Sequence, residues 1–231
     1  VVSEVETEEM PIEIALLPIV ESDYYPFSYS HGTATGIWQF IPSTGRMYGL
    51  DEDWWHEDRR DVLASTKAAV QYLKDLNQMF DGDWLLSIAA YNAGPGRVQR
   101  AIDNNIKQGK KIDYWSLDLP KETEKYVPKL LAVAKVLKDP DRFNQKLTMI
   151  ENKPYLEPVK LQSQFDLALI AQWTNLSIDE IYSFNPGLKR WATPEALPYT
   201  ILLPIDVVDD FIETLSNQKN RPKVSWTRYK V

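Results

Sequence analysis

Glu21 closes a short apolar run, Ile12–Val20, and that placement gives it chemical interest. A carboxylate there sits at the negative pole of a helix, among apolar neighbours, and both surroundings favour the protonated acid. A carboxylic acid kept neutral near pH 7 can serve as a general acid. Two further groups of residues could hold a ligand beside it. Gly36-Ile37-Trp38-Gln39-Phe40 sets one amide between two rings, after a glycine that lets backbone come close; this suits a sugar hydroxyl or N-acetyl group over an apolar wall. Ala90-Tyr91-Asn92-Ala93-Gly94 offers a phenol and an amide where a helix must end. Taken singly, each has a plainer reading: Glu21 as a helix exit, Gln39 as the wet side of an alternating strand, Asn92 and Gly94 as a helix C-terminus. Trp54-Trp55 reads as a packing pair rather than a sugar platform. The chain has no cysteine, and His31 and His56 are its only imidazoles. Thiolate chemistry is excluded, and a Ser-His-Asp triad or a His-rich metal site has too few parts. Proton chemistry falls to carboxylates.

The elements that must position these residues are mostly helical up to residue 138. Ile12–Val20 reads as a short helix that Pro18 should kink, since its ring removes the bond to Ile14. A loop of about 20 residues, Asp23 to Ile41, follows; so long a structureless stretch in a compact domain is usually functional. Pro42 suits the first turn of the next helix and Gly49 its stop. Asp61 can cap a long helix over Val62–Phe80, and Asp83 caps Trp84–Asn92, which is apolar on nearly all sides and belongs at the centre of a bundle. Gly94-Pro95-Gly96 ends it, Val98–Asn104 starts another, and Thr123–Lys138 is the last long helix. Beyond residue 150 the texture changes. Val159–Leu161 and Thr200–Leu203 read as short strands around two helical segments, Phe165–Thr174 and Ser177–Phe184, a βααβ unit of roughly 50 residues.

The 231 residues carry 26 basic and 33 acidic side chains, a formal charge of −7. That balance argues against a nucleic-acid partner, which would usually meet a basic face. The charge is uneven: residues 1–61 hold 13 acidic and 3 basic groups, whereas residues 62–150 hold 14 basic and 10 acidic. Acidic helix starts and solvated faces are the simpler explanation. No apolar run approaches the ~18 residues of a membrane span. The opening Val1-Val2-Ser3-Glu4 reads as neither signal peptide nor anchor, and suggests the interior of a longer precursor.

Taken together, the groups of residues are far more specific than apart. Glu21-Ser22, Gly36-x-Trp38-Gln39-Phe40 and Ala90-Tyr91-Asn92-Ala93-Gly94 resemble, in order and spacing, the lytic transglycosylases that share the goose-type lysozyme fold. Glu122-Thr123-x-x-Tyr126-Val127 is similar to a fourth motif of that family. Leu16-Leu17-Pro18-x-Val20-Glu21-Ser22, Ser30-His31-Gly32-x-Ala34-Thr35-Gly36, Arg59-Arg60-Asp61-Val62-x-Ala64-Ser65-Thr66 and Phe80-Asp81-Gly82-Asp83-Trp84 resemble one membrane-bound branch of it. The resemblance implies that Glu21 is the single catalytic acid/base. It implies that Ser22, Gln39, Tyr91, Asn92 and Tyr126 line the cleft, hold the glycan or orient the glutamate. The implied partner is the glycan strand of peptidoglycan, cut between N-acetylmuramic acid and N-acetylglucosamine to leave 1,6-anhydro ends, with no cofactor and no metal. The implied place is the periplasm, with attachment to the outer membrane only through a segment absent from this chain.

The tail has its own resemblance. Ile170-Ala171-x-x-Thr174-Asn175-Leu176-Ser177-Ile178-Asp179-Glu180-Ile181, then Asn185-Pro186 and Ile201-Leu202-Leu203-Pro204, is similar to a lysin motif, a βααβ peptidoglycan-binding module. It departs from the pattern at Gln164-Phe165-Asp166, where Gly-Asp-Thr is usual, and in the long stretch Gly187 to Tyr199. A bracing module is therefore preferred over a working sugar binder. Trp226-x-x-Tyr229-x-Val231 resembles the first strand of a further lysin motif. The expected fold class is mainly α: a lysozyme-like helical catalytic domain over residues 1–150, then a degenerate lysin-motif-like domain over residues 151–231. Two competitors stay open. A goose-type hydrolase would need a second carboxylate ~6.5–9.5 Å from Glu21 to activate water, with Asp23, Asp51 and Asp53 to be checked. A silent peptidoglycan-binding protein would have no use for Glu21 and its partner motifs.

Overall fold

The computed structural model describes residues 1–30, 32–151, 153–217 and 224. It is mainly α, and its contacts divide it into two compact units, Val1–Gly49 with Leu63–Thr148 and Leu50–Val62 with Met149–Val231. The sequence suggests a single boundary near 150. The structure differs in that Leu50–Val62 groups with the C-terminal part. His31 and the stretch Trp226 to Val231 lie outside the described residues. Among the described residues no helix is long and apolar enough to cross a membrane.

In the first unit the helices are α1 (Val2–Thr7), α2 (Leu17–Ser22), α3 (Pro42–Met47), α4 (Val62–Met79), α5 (Trp84–Ala93), α6 (Pro95–Lys107) and α7 (Lys121–Lys138). The apolar α5 buries Leu86, Ser87, Ile88, Ala89 and Ala90 in succession, so its middle turn is covered on every side. It packs against α6 and α7, the central position its composition demands. Asp83 caps it, its carboxylate accepting from the Leu85 and Leu86 amides at 2.9 and 3.1 Å. Gly94, at φ +86°, ends α5 and starts α6, with Pro95 in the first turn of the new helix.

Pro18 does not kink a helix. Ile12–Leu16 is a 3₁₀ turn and α2 begins at Leu17, which puts Pro18 in its first turn, where no N–H is required. Pro128 lies inside α7 and withholds the N–H that would meet the Glu124 carbonyl. The buried Tyr114 supplies the missing donor: its hydroxyl reaches Thr123 O at 2.9 Å and Glu124 O at 3.0 Å. The alternating strand considered for Trp38-Gln39-Phe40 does not form. Gly36 (φ +80°) and Gln39 (φ +50°) turn the backbone instead, and Trp38 drops fully into the core with its indole N–H on Thr66 Oγ1 at 3.0 Å.

The second unit pairs β1 (Leu156–Leu161) antiparallel with β2 (Tyr199–Pro204), Val159 opposite Ile201 and Leu161 opposite Tyr199. Between them run α8 (Leu167–Thr174) and α9 (Ile178–Phe184), and Ser177 caps α9 in a reciprocal box with Glu180. The Asn185 side chain clamps β2, donating to Leu202 O at 2.9 Å and accepting from Leu202 N at 2.7 Å. A helix that the sequence reading omits, α10 (Ile205–Asn217), covers this unit's core with Val208 and Phe211. Leu50–Val62 joins the unit through backbone bonds, Lys189 N to Trp55 O at 2.8 Å and Glu57 N to Gly187 O at 2.9 Å. Trp55 is buried and meets Trp191 edge-on at 5.4 Å, whereas Trp54 is 42% exposed with the Arg190 guanidinium 4.0 Å over its ring. The tryptophan pair is thus half packing and half surface.

Candidate active site

α2 stops abruptly after Glu21 and Ser22. Asp23 and Tyr24 both take left-handed backbone, at φ +51° and +60°, and their amides close on Ile19 O at 3.3 Å and Pro18 O at 3.1 Å. Consecutive non-glycine residues in that region store strain, and they leave Glu21 in the last turn beside a cleft of about 640 Å³. Five of the expected site residues line this cleft: Glu21, Gln39, Tyr91, Asn92 and Tyr126. Ser22 does not line it. Its hydroxyl bonds Pro18 O at 3.1 Å and Ile37 O at 2.9 Å, tying the Gly36–Phe40 turn to the end of α2.

Burial is the largest influence on Glu21 and pushes its carboxyl from the ordinary 4.5 up to about 7. The Tyr126 hydroxyl, donating to Glu21 Oε1, opposes that rise; Glu122 adds to it and Lys129 works against it. Desolvation wins. Tyr126 and Tyr91 are themselves held far above the ordinary phenol range, by burial first and the charge of Glu21 second, so both stay protonated donors. The Tyr91 hydroxyl donates to Trp38 O at 2.8 Å, and its ring joins Phe40 (6.3 Å) and Tyr72 (5.4 Å) in an aromatic wall.

Gln39 turns its amide nitrogen inward, donating to Gly36 O at 2.8 Å and Ser28 O at 3.3 Å. Its amide oxygen takes no hydrogen bond from the described residues, so it can accept one from a ligand N–H or hydroxyl. Asn92 is not the helix cap, since Gly94 holds that position. It links α5 to α7: Nδ2 donates to Glu122 Oε1 at 3.1 Å and Oδ1 accepts from Thr123 Oγ1 at 2.8 Å.

The cleft also holds Tyr72, Glu122, Lys125 and Lys129, to which the sequence reading assigns no role. For Glu122, Lys125 and Lys129 the signal was available, since all three share one helical face with Tyr126. Glu21 and Glu122 are the carboxylates of the lining. Asp23 instead forms the left-handed end of α2, and Asp53 accepts the Trp55 and His56 amides within the second unit at 2.7 and 2.6 Å. Among the described residues no cluster of His, Asp and Glu has the makings of a metal site.

A cleft with one half-protonated carboxylic acid, a phenol on it and an aromatic wall can transfer a proton at a sugar-sized ligand. The family comparison agrees with that chemistry. The model for the transglycosylase SLT domain matches residues 3–114, which contain Glu21, Ser22, Gln39, Tyr91 and Asn92. The model for the lytic transglycosylase MltD LysM-like domain matches residues 155–220. The chain belongs to the SLT-domain lytic transglycosylases. Membrane-bound lytic murein transglycosylase D of Escherichia coli (strain K12) is 43% identical over 217 residues, covering 94% of this chain and 48% of that protein. A protein of Alteromonas sp. (strain M-1) named for tributyltin chloride resistance is 34% identical over 178 residues, covering 77% of this chain and 84% of its own length. A peptidoglycan transglycosylase of Escherichia phage T7 is 33% identical over 116 residues, covering 50% of this chain and 8% of that protein. The chain spans about half the length of the E. coli relative. In this SLT-domain chain the fourth motif, with Tyr126, falls beyond residue 114 and is joined to the others by the fold.

Proposed function

We propose that this chain cleaves peptidoglycan glycan strands without water, breaking the β-1,4 bond between N-acetylmuramic acid and N-acetylglucosamine, with Glu21 as the single acid/base. The observation that carries the proposal is the half-buried Glu21 carboxyl, held near 7 by desolvation in the lining of an aromatic-walled cleft. An acid with that value is about half protonated at neutral pH, where proton donation and proton uptake are both available. Protonated Glu21 gives its proton to the glycosidic oxygen as the bond breaks. The substrate's N-acetyl group stabilises the cationic anomeric carbon, so no second carboxylate has to do so. Ionised Glu21 then takes the proton of the C6 hydroxyl, which attacks the anomeric carbon of its own ring and closes the 1,6-anhydro bond. Because that nucleophile is intramolecular, its effective concentration is very high.

Tyr126 orients the acid through its hydrogen bond to Oε1, leaving Oε2 to carry the transferred proton. Gln39 and the wall of Phe40, Tyr72 and Tyr91 supply the polar and apolar halves of a sugar subsite, and Asn92 keeps α5 and α7 in register. Ser22 acts by fixing the Gly36–Phe40 turn. We place the activity in the periplasm, where peptidoglycan lies, with membrane attachment through sequence outside this chain. Mass spectrometry of digested glycan strands tests the reading, since anhydro ends are one water lighter than the reducing ends a hydrolase leaves. Glu21→Gln should lower the rate by at least ~10²–10⁴-fold, the part due to general acid/base catalysis. Reducing ends, or appreciable cleavage by folded Glu21→Gln protein, would refute the assignment.

A further inference from the structure

Glu122, Lys125, Tyr126 and Lys129 of α7 line the cleft at the i, i+3, i+4, i+7 spacing of one helical face. Tyr126 bonds the Glu21 carboxyl directly. Glu122 and Lys129 lie one turn before it and one turn after it, with opposite charges, and their hydrogen bonds go elsewhere. Asn92 Nδ2 holds Glu122 Oε1 at 3.1 Å, and Lys129 Nζ holds Val20 O at 3.2 Å, the carbonyl of the residue before Glu21. Each contact fixes where a charge stands relative to the acid. We propose that Glu122 and Lys129 are positioning residues: an opposed charge pair, fixed on one face of α7, that trims the pH at which the half-buried acid Glu21 gives up its proton. The proposal rests on the reading of Glu21 as the acid.

The fields have the required signs. The carboxylate of Glu122 disfavours ionised Glu21 and the ammonium of Lys129 favours it, each acting after burial and the Tyr126 bond. The other titratable groups around Glu21 do not duplicate them. Tyr126 from α7 and Tyr91 from α5 stay neutral phenols, Tyr72 belongs to the aromatic wall, and Lys125 is a further cation of the cleft lining, exposed to water. On the chain leading into and out of α2, Glu13 and Asp23 are exposed to water. Burial raises the acid toward neutrality, and the opposed charges keep it there, where a single group both gives and takes a proton most effectively. Loss of either member tips it.

The test is a direct titration of Glu21 by NMR of carboxyl-¹³C glutamate, its signal assigned with Glu21→Gln, alongside glycan cleavage as a function of pH. Glu122→Gln is expected to move the Glu21 midpoint down and Lys129→Met to move it up. Lys129→Arg, which keeps the charge, should leave it in place. The alkaline limb of kcat should follow the midpoint in each variant. A midpoint unmoved by both substitutions, or moved the same way by both, overturns the proposal, because a purely structural role predicts no opposed shift. Should Lys129→Met fail to fold, the downward shift in Glu122→Gln with an unmoved Lys129→Arg still supports the proposal, and its absence still overturns it. Opposed shifts in a native protein that cleaves no glycan at any pH would keep the charge pair and remove the proposed function.

Discussion

At the scale of single residues, the physics of Glu21 runs against the stability of the molecule that carries it. Its folded pKa of about 7 lies above the ordinary 4.5, so between those values the native state holds a proton that the unfolded chain has released. Stability is therefore highest below about 4.5 as far as this group is concerned, falls as pH rises to about 7, and is level beyond it. The accumulated penalty is on the order of 3 kcal/mol above neutrality, since one pH unit between the folded and unfolded midpoints is worth ~1.4 kcal/mol. Glu21→Gln removes the charge that burial disfavours. The variant is expected to equal the native protein in stability at pH 4 and to exceed it at pH 8 by up to about 3 kcal/mol, read from denaturant melts at the two pH values. Equal stability at pH 8 would mean that Glu21 is solvated in the native state. Activity falls in the same direction of pH but at a later point. The donating form disappears above about 7, so cleavage should decline on the alkaline side with a midpoint near that value.

The elements were legible where local chemistry decides them and illegible where a distant partner does. Asp83 and Gly94 bracket α5 as cap and stop, and Ser177 with Glu180 starts α9, because these motifs act within one turn. The α10 pattern, Ile205, Val208, Phe211 and Leu215, has helical spacing and was there to be read. The break at Pro18 and the turn at Gln39 were not open to such reading, since Ser22 and Tyr91 hold the 36–40 turn from remote positions in the sequence. Pro128 in α7 is another such case, and it can be tested. Its ring leaves the Glu124 carbonyl without a helical donor, and Tyr114, more than a turn outside the helix, provides one at 3.0 Å. Tyr114→Phe should cost ~1–3 kcal/mol, the usual penalty for stranding a buried polar group. Pro128→Ala restores an N–H to that carbonyl. In the Pro128→Ala background the Tyr114→Phe penalty should shrink markedly, and chemical denaturation of the four proteins in the cycle measures it. Equal penalties in both backgrounds would show that Tyr114 does not substitute for the missing bond.

On the scale of the whole chain, the least legible feature is that Leu50–Val62 belongs with a unit otherwise built from residues after 148. No periodicity announces it, because the segment has no regular element of its own and is held by partners over 130 positions away, such as Lys189 on Glu52 Oε1 at 2.7 Å. The family comparison divides the chain differently, for the SLT match over residues 3–114 includes this segment and the LysM-like match begins only at residue 155. At its centre is buried His56, with Nδ1 on Asp58 Oδ1 at 2.8 Å and the Tyr199 ring 5.5 Å away, while its Nε2 faces Gly187. A Cβ at Gly187 would stand 2.3 Å from His56 Nε2 and 2.7 Å from Cε1, far inside contact distance, and Asp58 and Tyr199 leave the imidazole little room to retreat. Glycine is required here by closeness and not by backbone angle. Gly187→Ala should therefore destabilise this unit by about 1–3 kcal/mol, the range for overpacking a filled core. The same substitution made together with His56→Ala should cost almost nothing beyond His56→Ala alone, because the clash has been removed. A Gly187→Ala penalty of equal size in both backgrounds would mean that Gly187 and His56 are not neighbours, and that Leu50–Val62 is not part of the core formed by the end of the chain.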